Sequence, residues 1–153
     1  MHTNPKRRSV LKTAAGAGAC TAFALFRASL ASAAWNTSGF EAKSASDAVK
    51  QLGAANMNET KDITITAPDI AENGAVVPVA VTSRIPNTES ISIVAEKNPF
   101  PLVAIFDVSG GVEPYTSVRI KLGQTSNVRA VVKADGRFYT TAKEVKVTVG
   151  GCG

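Results

Sequence analysis

Short runs of alternating apolar and polar residues, a pattern typical of β-strands, fill the chain from Lys61 onward. The runs are rich in valine, isoleucine and threonine, and residues that favour turns separate them. The pattern predicts strands over residues 63–66, 76–81, 90–95, 102–108, 115–122, 127–133, 137–141 and 143–149. We therefore expect an all-β fold, an antiparallel sandwich of about seven strands.

Four segments of this region carry more specific predictions. Pro78 indicates an edge strand or a bulge, because proline cannot donate a ladder hydrogen bond. The mostly apolar run 102–108 suits a buried strand. Residues 69–74 predict a turn with an Asn-Gly pair at its tip, and Asp135-Gly136 predicts a hairpin turn.

One segment before the strands has helical spacing. Ser44 can cap the N-terminus, with the acidic Asp47 three residues later, and Gly53 can end the helix. The apolar residues between these caps are three or four positions apart. We expect a short N-terminal helix that packs on the sandwich.

The first 33 residues have the pattern of a cleavable export signal. A basic segment at residues 6–12 is followed by an apolar run from 13 to 26 and an Ala-Ser-Ala site at 31–33. The apolar run is too short to span a membrane. The pair Arg7-Arg8, followed by Ser-Val-Leu-Lys, fits the twin-arginine type, which exports folded proteins. We therefore expect a periplasmic protein.

Removal of the signal changes the net charge. The full chain has 17 Lys and Arg residues against 12 Asp and Glu residues, a net charge of +5. Five of the basic residues and none of the acidic ones lie in the signal, so 12 of each remain. The mature chain is then neutral, and no basic surface is left to indicate binding to nucleic acid or to an anionic membrane.

The same removal restricts the chemistry. His2, the only histidine, and Cys20 both lie in the signal. The mature chain therefore lacks a histidine to activate a nucleophile and lacks the ligands of a thiolate or imidazole metal site. We expect no metal and no cofactor. Cys152 is left unpaired, which in an exported protein indicates an intermolecular bond or a working thiol.

Cys152 lies between glycines at the C-terminus. Gly150, Gly151 and Gly153 have no Cβ and access a wide range of backbone angles, which favours a flexible arm. At 3.3–3.6 Å per residue, the arm could carry the thiol on the order of 10 Å beyond the last strand. A frayed terminus with a stray thiol is the alternative. We divide the chain into a signal at 1–33, a helix plus β-sandwich domain at 34–149 and a cysteine-bearing arm at 150–153.

With these features the chain resembles the SoxY family, the sulfur-carrying subunits of the periplasmic thiosulfate-oxidising (Sox) system. The resemblance rests on the twin-arginine signal, the stretch Ala67–Val79 (APDIAENGAVVPV), the β-rich body and the terminal Gly-Gly-Cys-Gly. The family's tail usually reads Gly-Gly-Cys-Gly-Gly, whereas this sequence ends at Gly153. The resemblance implies an immunoglobulin-like sandwich that forms a heterodimer with a second β-sandwich subunit, SoxZ.

The resemblance also implies that Cys152 carries the sulfur substrate as a covalent adduct and presents it to separate enzymes. These are a c-type haem protein that couples thiosulfate to the thiol, a hydrolase that releases sulfate and a dehydrogenase that oxidises the remaining sulfane sulfur. The charged residue nearest to Cys152 in sequence is Lys146, so we expect a carrier rather than an enzyme. A structural or adhesive sandwich that uses Cys152 for an intermolecular disulfide is the main alternative. A self-contained thiol enzyme is disfavoured because the mature chain offers no histidine base.

Overall fold

A computed structural model of the chain describes residues 36–108 and 111–148. The predicted signal, with Arg7 and Arg8, lies outside these residues, and so does the predicted arm with Cys152. The described residues form two short helices followed by nine strands.

The second helix, α2 (Ala45–Gln51), has the predicted caps. The hydroxyl of Ser44 accepts a hydrogen bond from the backbone N–H of Asp47 at 3.1 Å. Gly53 ends the helix with φ at +78°, a conformation that glycine adopts without strain. The N–H groups of Gly53 and Ala54 then donate to the carbonyls of Lys50 and Val49, which closes the last turn.

The first helix, α1 (Thr37–Glu41), was not predicted. Its five residues include a glycine and a threonine, which have low helix propensity. The side chain of Asn36 caps it by accepting from the N–H of Gly39 at 3.0 Å. A Cβ at Gly39 would lie 2.9 Å from Leu102 Cδ2, so glycine permits this close packing. Tertiary contact of this kind outweighs local propensity here.

The seven longer strands lie in the predicted segments and confirm the expected number, whereas two strands of two residues each were not predicted. Most boundaries agree within two residues, which is the usual uncertainty of strand ends. The strands are β1 (Asn58–Glu59), β2 (Ile63–Thr66), β3 (Ile70–Ala71), β4 (Val77–Ser83), β5 (Thr88–Ala95), β6 (Leu102–Asp107), β7 (Tyr115–Ile120), β8 (Ser126–Ala134) and β9 (Arg137–Val147).

The strands form two sheets, which confirms the all-β sandwich. The larger sheet has the order β1-β9-β8-β5-β6, with β3 also beside β9, and the smaller sheet has the order β2-β4-β7. Pairs between the longer strands are antiparallel. The two-residue strands β1 and β3 run parallel to β9. The predicted turn between β8 and β9 is confirmed: Asp135 and Gly136 both have positive φ, as a two-residue hairpin turn requires.

The core has two layers because the larger sheet is covered on both faces. Ile91 and Ile93 of β5 belong to the cluster between the sheets. Val94 belongs to a second cluster, where α2 packs on the other face of the sheet through Ala48 and Val49. This second layer explains why every residue from 91 to 95 is buried. The helix therefore completes the core.

The predicted strands 137–141 and 143–149 are wrong as two separate elements. They form the single strand β9, which pairs with β8 from Ala134↔Arg137 to Ser126↔Val145. The short polar residues near Ala142 lack a strong strand pattern, but the continuous ladder to β8 holds them extended. The end predicted at Val149 lies outside the described residues.

The predictions for three other segments need correction. The turn predicted at 69–74 contains the short strand β3, although Asn73 does form a turn by accepting from the N–H of Ala75 at 2.9 Å. The strand predicted to be buried, β6, lies at an edge of the larger sheet and is half-buried along most of its length.

The strand with Pro78 is not an edge strand, because β4 lies between β2 and β7. The pairing with β2 stops at Thr66↔Ala80, so Pro78 faces a partner only on the β7 side, at Arg119. The missing N–H of proline therefore leaves the β2–β4 ladder intact.

Candidate functional site

The site predicted from the sequence is Cys152 with the neighbouring glycines Gly150, Gly151 and Gly153. These four residues lie outside the described part of the chain. The structure does describe the end of β9 and Thr148, from which the chain continues toward Cys152. We call residues 145–148 the root, and its surroundings are the part of the site that can be built from contacts.

The root alternates between a buried and an exposed face, as expected for a strand. Val145 is fully buried between the sheets, and Val147 packs against the same core. Lys146 and Thr148 point to solvent on the other face. Burial of the two valines fixes the register of the strand up to its end, since a slip by one residue would expose them.

The hydrogen-bonding partners of the root change at Val145. On one side of β9 the β8 ladder ends at the pair Ser126↔Val145. Beyond this pair, the N–H of Val147 donates to the hydroxyl of Thr125 at 3.0 Å. A single side chain thus replaces the β8 ladder for the last residues of β9.

On its other side the root pairs with residues 67–74, which we call the strap. The strap contains β3, with the register Ile70↔Lys146 and Ala71↔Val147. The N–H of Lys146 donates to the carbonyl of Asp69 at 2.9 Å, and the N–H of Thr148 donates to that of Ala71 at 3.2 Å. The hydroxyl of Thr148 also donates to the carbonyl of Glu72, at 3.4 Å.

The strap is held at both ends. Near its start, Lys143 Nζ lies 2.6 Å from the carbonyl oxygen of Ala67 and 3.0 Å from Asp69 Oδ1. At its end, the carbonyl of Gly74 accepts from the N–H of Leu122 at 2.7 Å. A Cβ at Gly74 would lie 2.4 Å from Leu122 O and 2.8 Å from Val147 Cγ1, so this close approach requires glycine.

Sequence reasoning noted the stretch Ala67–Val79 as a mark of resemblance but missed its contact with the root. Two apolar residues, Ile70 and Ala71, are too few for a strand signal. Lys143 is 76 residues from its partner Ala67, and pairing over that separation leaves no local pattern. The glycine of the Asn-Gly pair was the available signal, because it suggested a special backbone position.

Two carboxyl groups of the described residues have lowered pKa values. The Ser44 hydroxyl, which donates to Asp47, holds the pKa of that carboxyl below its ordinary value. The hydrogen bond from Lys133, with a further one from the Gly136 N–H, lowers the pKa of Glu89. Both carboxylates lie away from the root. Within residues 36–108 and 111–148, no three His, Cys, Asp or Glu residues are grouped so as to hold a metal ion.

Two open pockets lie outside the root. One, of about 580 Å³, is lined by Glu59, Thr60, Lys61, Thr140, Thr141 and Ala142. The other, of about 320 Å³, lies beside α2, and its charged groups already pair with one another or with neighbours, Arg129 with Glu96 and Lys50 with Asp47. Neither pocket is lined by residues of the root or the strap.

The geometry of the root does not identify the family of the chain, and comparison with known proteins does. The profile of a family described as "Sulfur oxidation protein SoxY" matches residues 49–152 of the chain. This range is more than half of the sequence, and it includes the strap, the root and Cys152. The chain belongs to the SoxY family.

Solved structures agree with membership of the SoxY family. The sulfur carrier protein SoxY from Chlorobium limicola f thiosulfatophilum is 41% identical, with a TM-score of 0.60 over 67% of this chain and 96% of that one. A superoxide reductase (neelaredoxin) from Ignicoccus hospitalis is 21% identical, with a TM-score of 0.50 over 56% of this chain and 79% of that one. The second likeness shows the fold alone. No curated protein matches the chain significantly.

In the described part of this SoxY family member, no helix is long and apolar enough to cross a membrane.

Proposed function

We propose that this chain is a sulfur carrier of the Sox system and that the sulfur substrate is attached to the thiol sulfur of Cys152. The observation that carries the proposal is the SoxY family match, which extends along the chain to Cys152 itself. The 41% identity to a sulfur carrier protein over two thirds of the chain supports it. The alternative, a structural protein that uses Cys152 for an intermolecular disulfide, does not account for this match.

This chain contributes one reactive group to the proposed chemistry. The Cys152 thiol, as thiolate, is the sulfur nucleophile. Ionisation of the thiol releases one proton, and oxidative coupling of the thiolate to thiosulfate forms an S–S bond and releases two electrons, which a c-type haem partner accepts. Hydrolysis by a second partner then releases sulfate and leaves a persulfide on Cys152, whose outer sulfur a dehydrogenase oxidises further. The chain holds the intermediate, and the partners carry out the reactions.

The glycines at 150, 151 and 153 suit a swinging arm. They leave a thin backbone beside the thiol, without side chains that would obstruct a narrow channel. The arm starts from a strand whose valines are anchored in the core. A stiff body with a mobile end lets several enzymes reach one covalent intermediate in turn.

A SoxZ-like β-sandwich subunit completes the proposed carrier as a heterodimer. A stable interface of this kind buries roughly 1,200–2,000 Å² in total. The described surface offers apolar side chains that are about half or more exposed and could contribute to such contacts, namely Ile70, Val76, Phe100, Val112 and Tyr115. A partner without its own signal would leave the cytoplasm together with this chain, which is consistent with export of folded protein by the twin-arginine pair Arg7-Arg8.

The test of the proposal is Cys152→Ser, with Cys20→Ser as the matched control. Serine keeps the size of the side chain and removes the sulfur nucleophile. We expect thiosulfate oxidation by the reconstituted Sox enzymes to fall to the background rate with Cys152→Ser. Cys20→Ser should oxidise at the parent rate, because Cys20 lies in the predicted signal. Circular dichroism should be unchanged in both variants.

Full activity of Cys152→Ser would contradict the assignment of the attachment site. Equal losses in the two variants would show a general effect of losing a thiol and would also contradict it.

A further inference from the structure

We propose that the strap, residues 67–74, fixes the root at Thr148 and thereby sets how far Cys152 can reach. Lys143 and Gly74 are the positioning residues that hold the strap in place. The inference rests on the proposed carrier function, because the reach of Cys152 matters only if the thiol has to enter other proteins.

Without the strap, the regular pairing of β9 would end at Val145. The β8 ladder stops there, and the one further bond on that side comes from the hydroxyl of Thr125 to the N–H of Val147. The N–H groups of Lys146 and Thr148 point to the opposite side, away from β8. The strap accepts both of them, through the carbonyls of Asp69 and Ala71.

The strap therefore adds three residues to the paired part of the strand, from Val145 to Thr148. Thr148 is four residues from Cys152, which corresponds to a reach of about 13–14 Å for an extended chain. Release of the strap would move the anchor back to Val145, seven residues from Cys152, with a reach of about 23–25 Å. A shorter tether confines the thiol to a smaller volume and raises its effective concentration at a docked enzyme whose site lies within that reach.

Besides its pairing with β9 and the burial of Ala71, the strap has contacts at its two ends that are not part of a sheet ladder. Lys143 is on the same face of β9 as the buried Val145, and its ammonium group bonds both the carbonyl of Ala67 and the carboxylate of Asp69. Gly74 brings the other end of the strap against Leu122 and Val147. A change at either residue should loosen the strap while β8 and β9 remain paired.

The chain offers a matched control for each positioning residue. Lys143→Met removes both contacts of the ammonium group, whereas Lys146→Met removes the same charge from the exposed face of the same strand. Gly74→Ala introduces a Cβ into the close approach, whereas a Cβ at Gly123 meets nothing within 4 Å. Gly123→Ala is therefore the control for Gly74→Ala.

The first measurement is amide hydrogen exchange by NMR on the full chain carrying Cys20→Ser. In Lys143→Met and Gly74→Ala, the protection factors of the backbone amides at positions 146 and 148 should fall at least about tenfold. They should stay within about twofold of the parent in the two controls. The amide of Val132, which lies opposite Tyr139 within the β8–β9 pairing, is the internal reference for any general loss of stability.

The second measurement uses a nitroxide label on Cys152, the remaining thiol of that chain. The label broadens the signals of nearby amides. The broadened region should be wider in Lys143→Met and Gly74→Ala than in the parent and in the controls. Neither measurement involves sulfur transfer, so failure of the carrier function and failure of this inference are distinguishable.

Unchanged protection of the Lys146 and Thr148 amides in both strap variants would overturn the inference. Reduced protection with an unchanged broadened region would also overturn it, since the strap would then order the root without setting the reach of Cys152.

Discussion

Single side chains fix many of the turns and ends in this fold. Ser44 caps α2, and the sequence predicted it because the donor and acceptor lie three residues apart. The amide of Asn98 bonds the carbonyl of Lys121 at 2.7 Å and bridges two loops that are 23 residues apart. The sequence gives no sign of that partner. The contacts of a single side chain are therefore predictable where its partner is close in sequence. The contact of Lys143 with Ala67 was missed because, as for Asn98, the partner is distant in sequence.

Glu89 supports a prediction about pH at this scale. Its carboxylate pairs with Lys133 and accepts from the N–H of Gly136 at 3.0 Å, which links β5 to the β8–β9 turn. These contacts lower the pKa of Glu89 from its ordinary value of 4.5, so the folded state favours the ionised form. The stabilisation is complete above the unfolded pKa and is lost as the pH falls through the folded pKa.

We expect Glu89→Gln to be less stable than the parent near pH 7, and the difference to shrink when urea unfolding is measured near pH 3. Glu113→Gln is the control, since the described part of the chain shows no ion pair for Glu113. A difference between parent and Glu89→Gln that is the same at both pH values would show that the carboxylate charge plays no part.

Strands were predicted correctly where the sequence pattern that marks them is local, and wrongly where distant contacts decide the structure. The strands around residues 63–66, 90–95 and 127–133 were predicted because alternation of apolar and polar residues along the chain marks a strand. The break predicted inside β9 was wrong, because pairing with β8 and not the local pattern holds Ala142. The burial predicted for β6 was wrong as well, since apolar composition does not tell an edge from a centre.

The predicted arm is the element whose removal should matter least for folding. Residues 150–153 include three glycines, so they offer little apolar surface to bury. Truncation after Val149 should change the free energy of unfolding by less than about 1 kcal/mol. Val145→Ala is the positive control, because loss of two methyl groups from a fully buried side chain should cost about 2 kcal/mol. Chemical denaturation measures both.

A loss in the truncated chain comparable with that of Val145→Ala would show that the last four residues pack on the body, which would contradict the swinging arm.

At the scale of the whole molecule, the sequence predicted the fold class and the family but not how the body presents its C-terminus. Two-residue periodicity and turn residues are enough to predict a sandwich. The second layer of core under α2 and the strap beside the root both depend on contacts between distant segments. Cys152 could be singled out because an unpaired cysteine between glycines is chemically unusual. The surroundings of its root required the structure.

The central claim is that Cys152 carries sulfur covalently, and intact-protein mass spectrometry tests it most directly. The protein should be purified from its own cells during growth on a reduced sulfur compound and measured with and without reductant. We predict one sulfur-containing adduct per chain, lost on reduction and mapped to the peptide that contains Cys152. A native chain whose only reducible form is a disulfide-linked dimer, or an adduct at any other residue, would contradict the account.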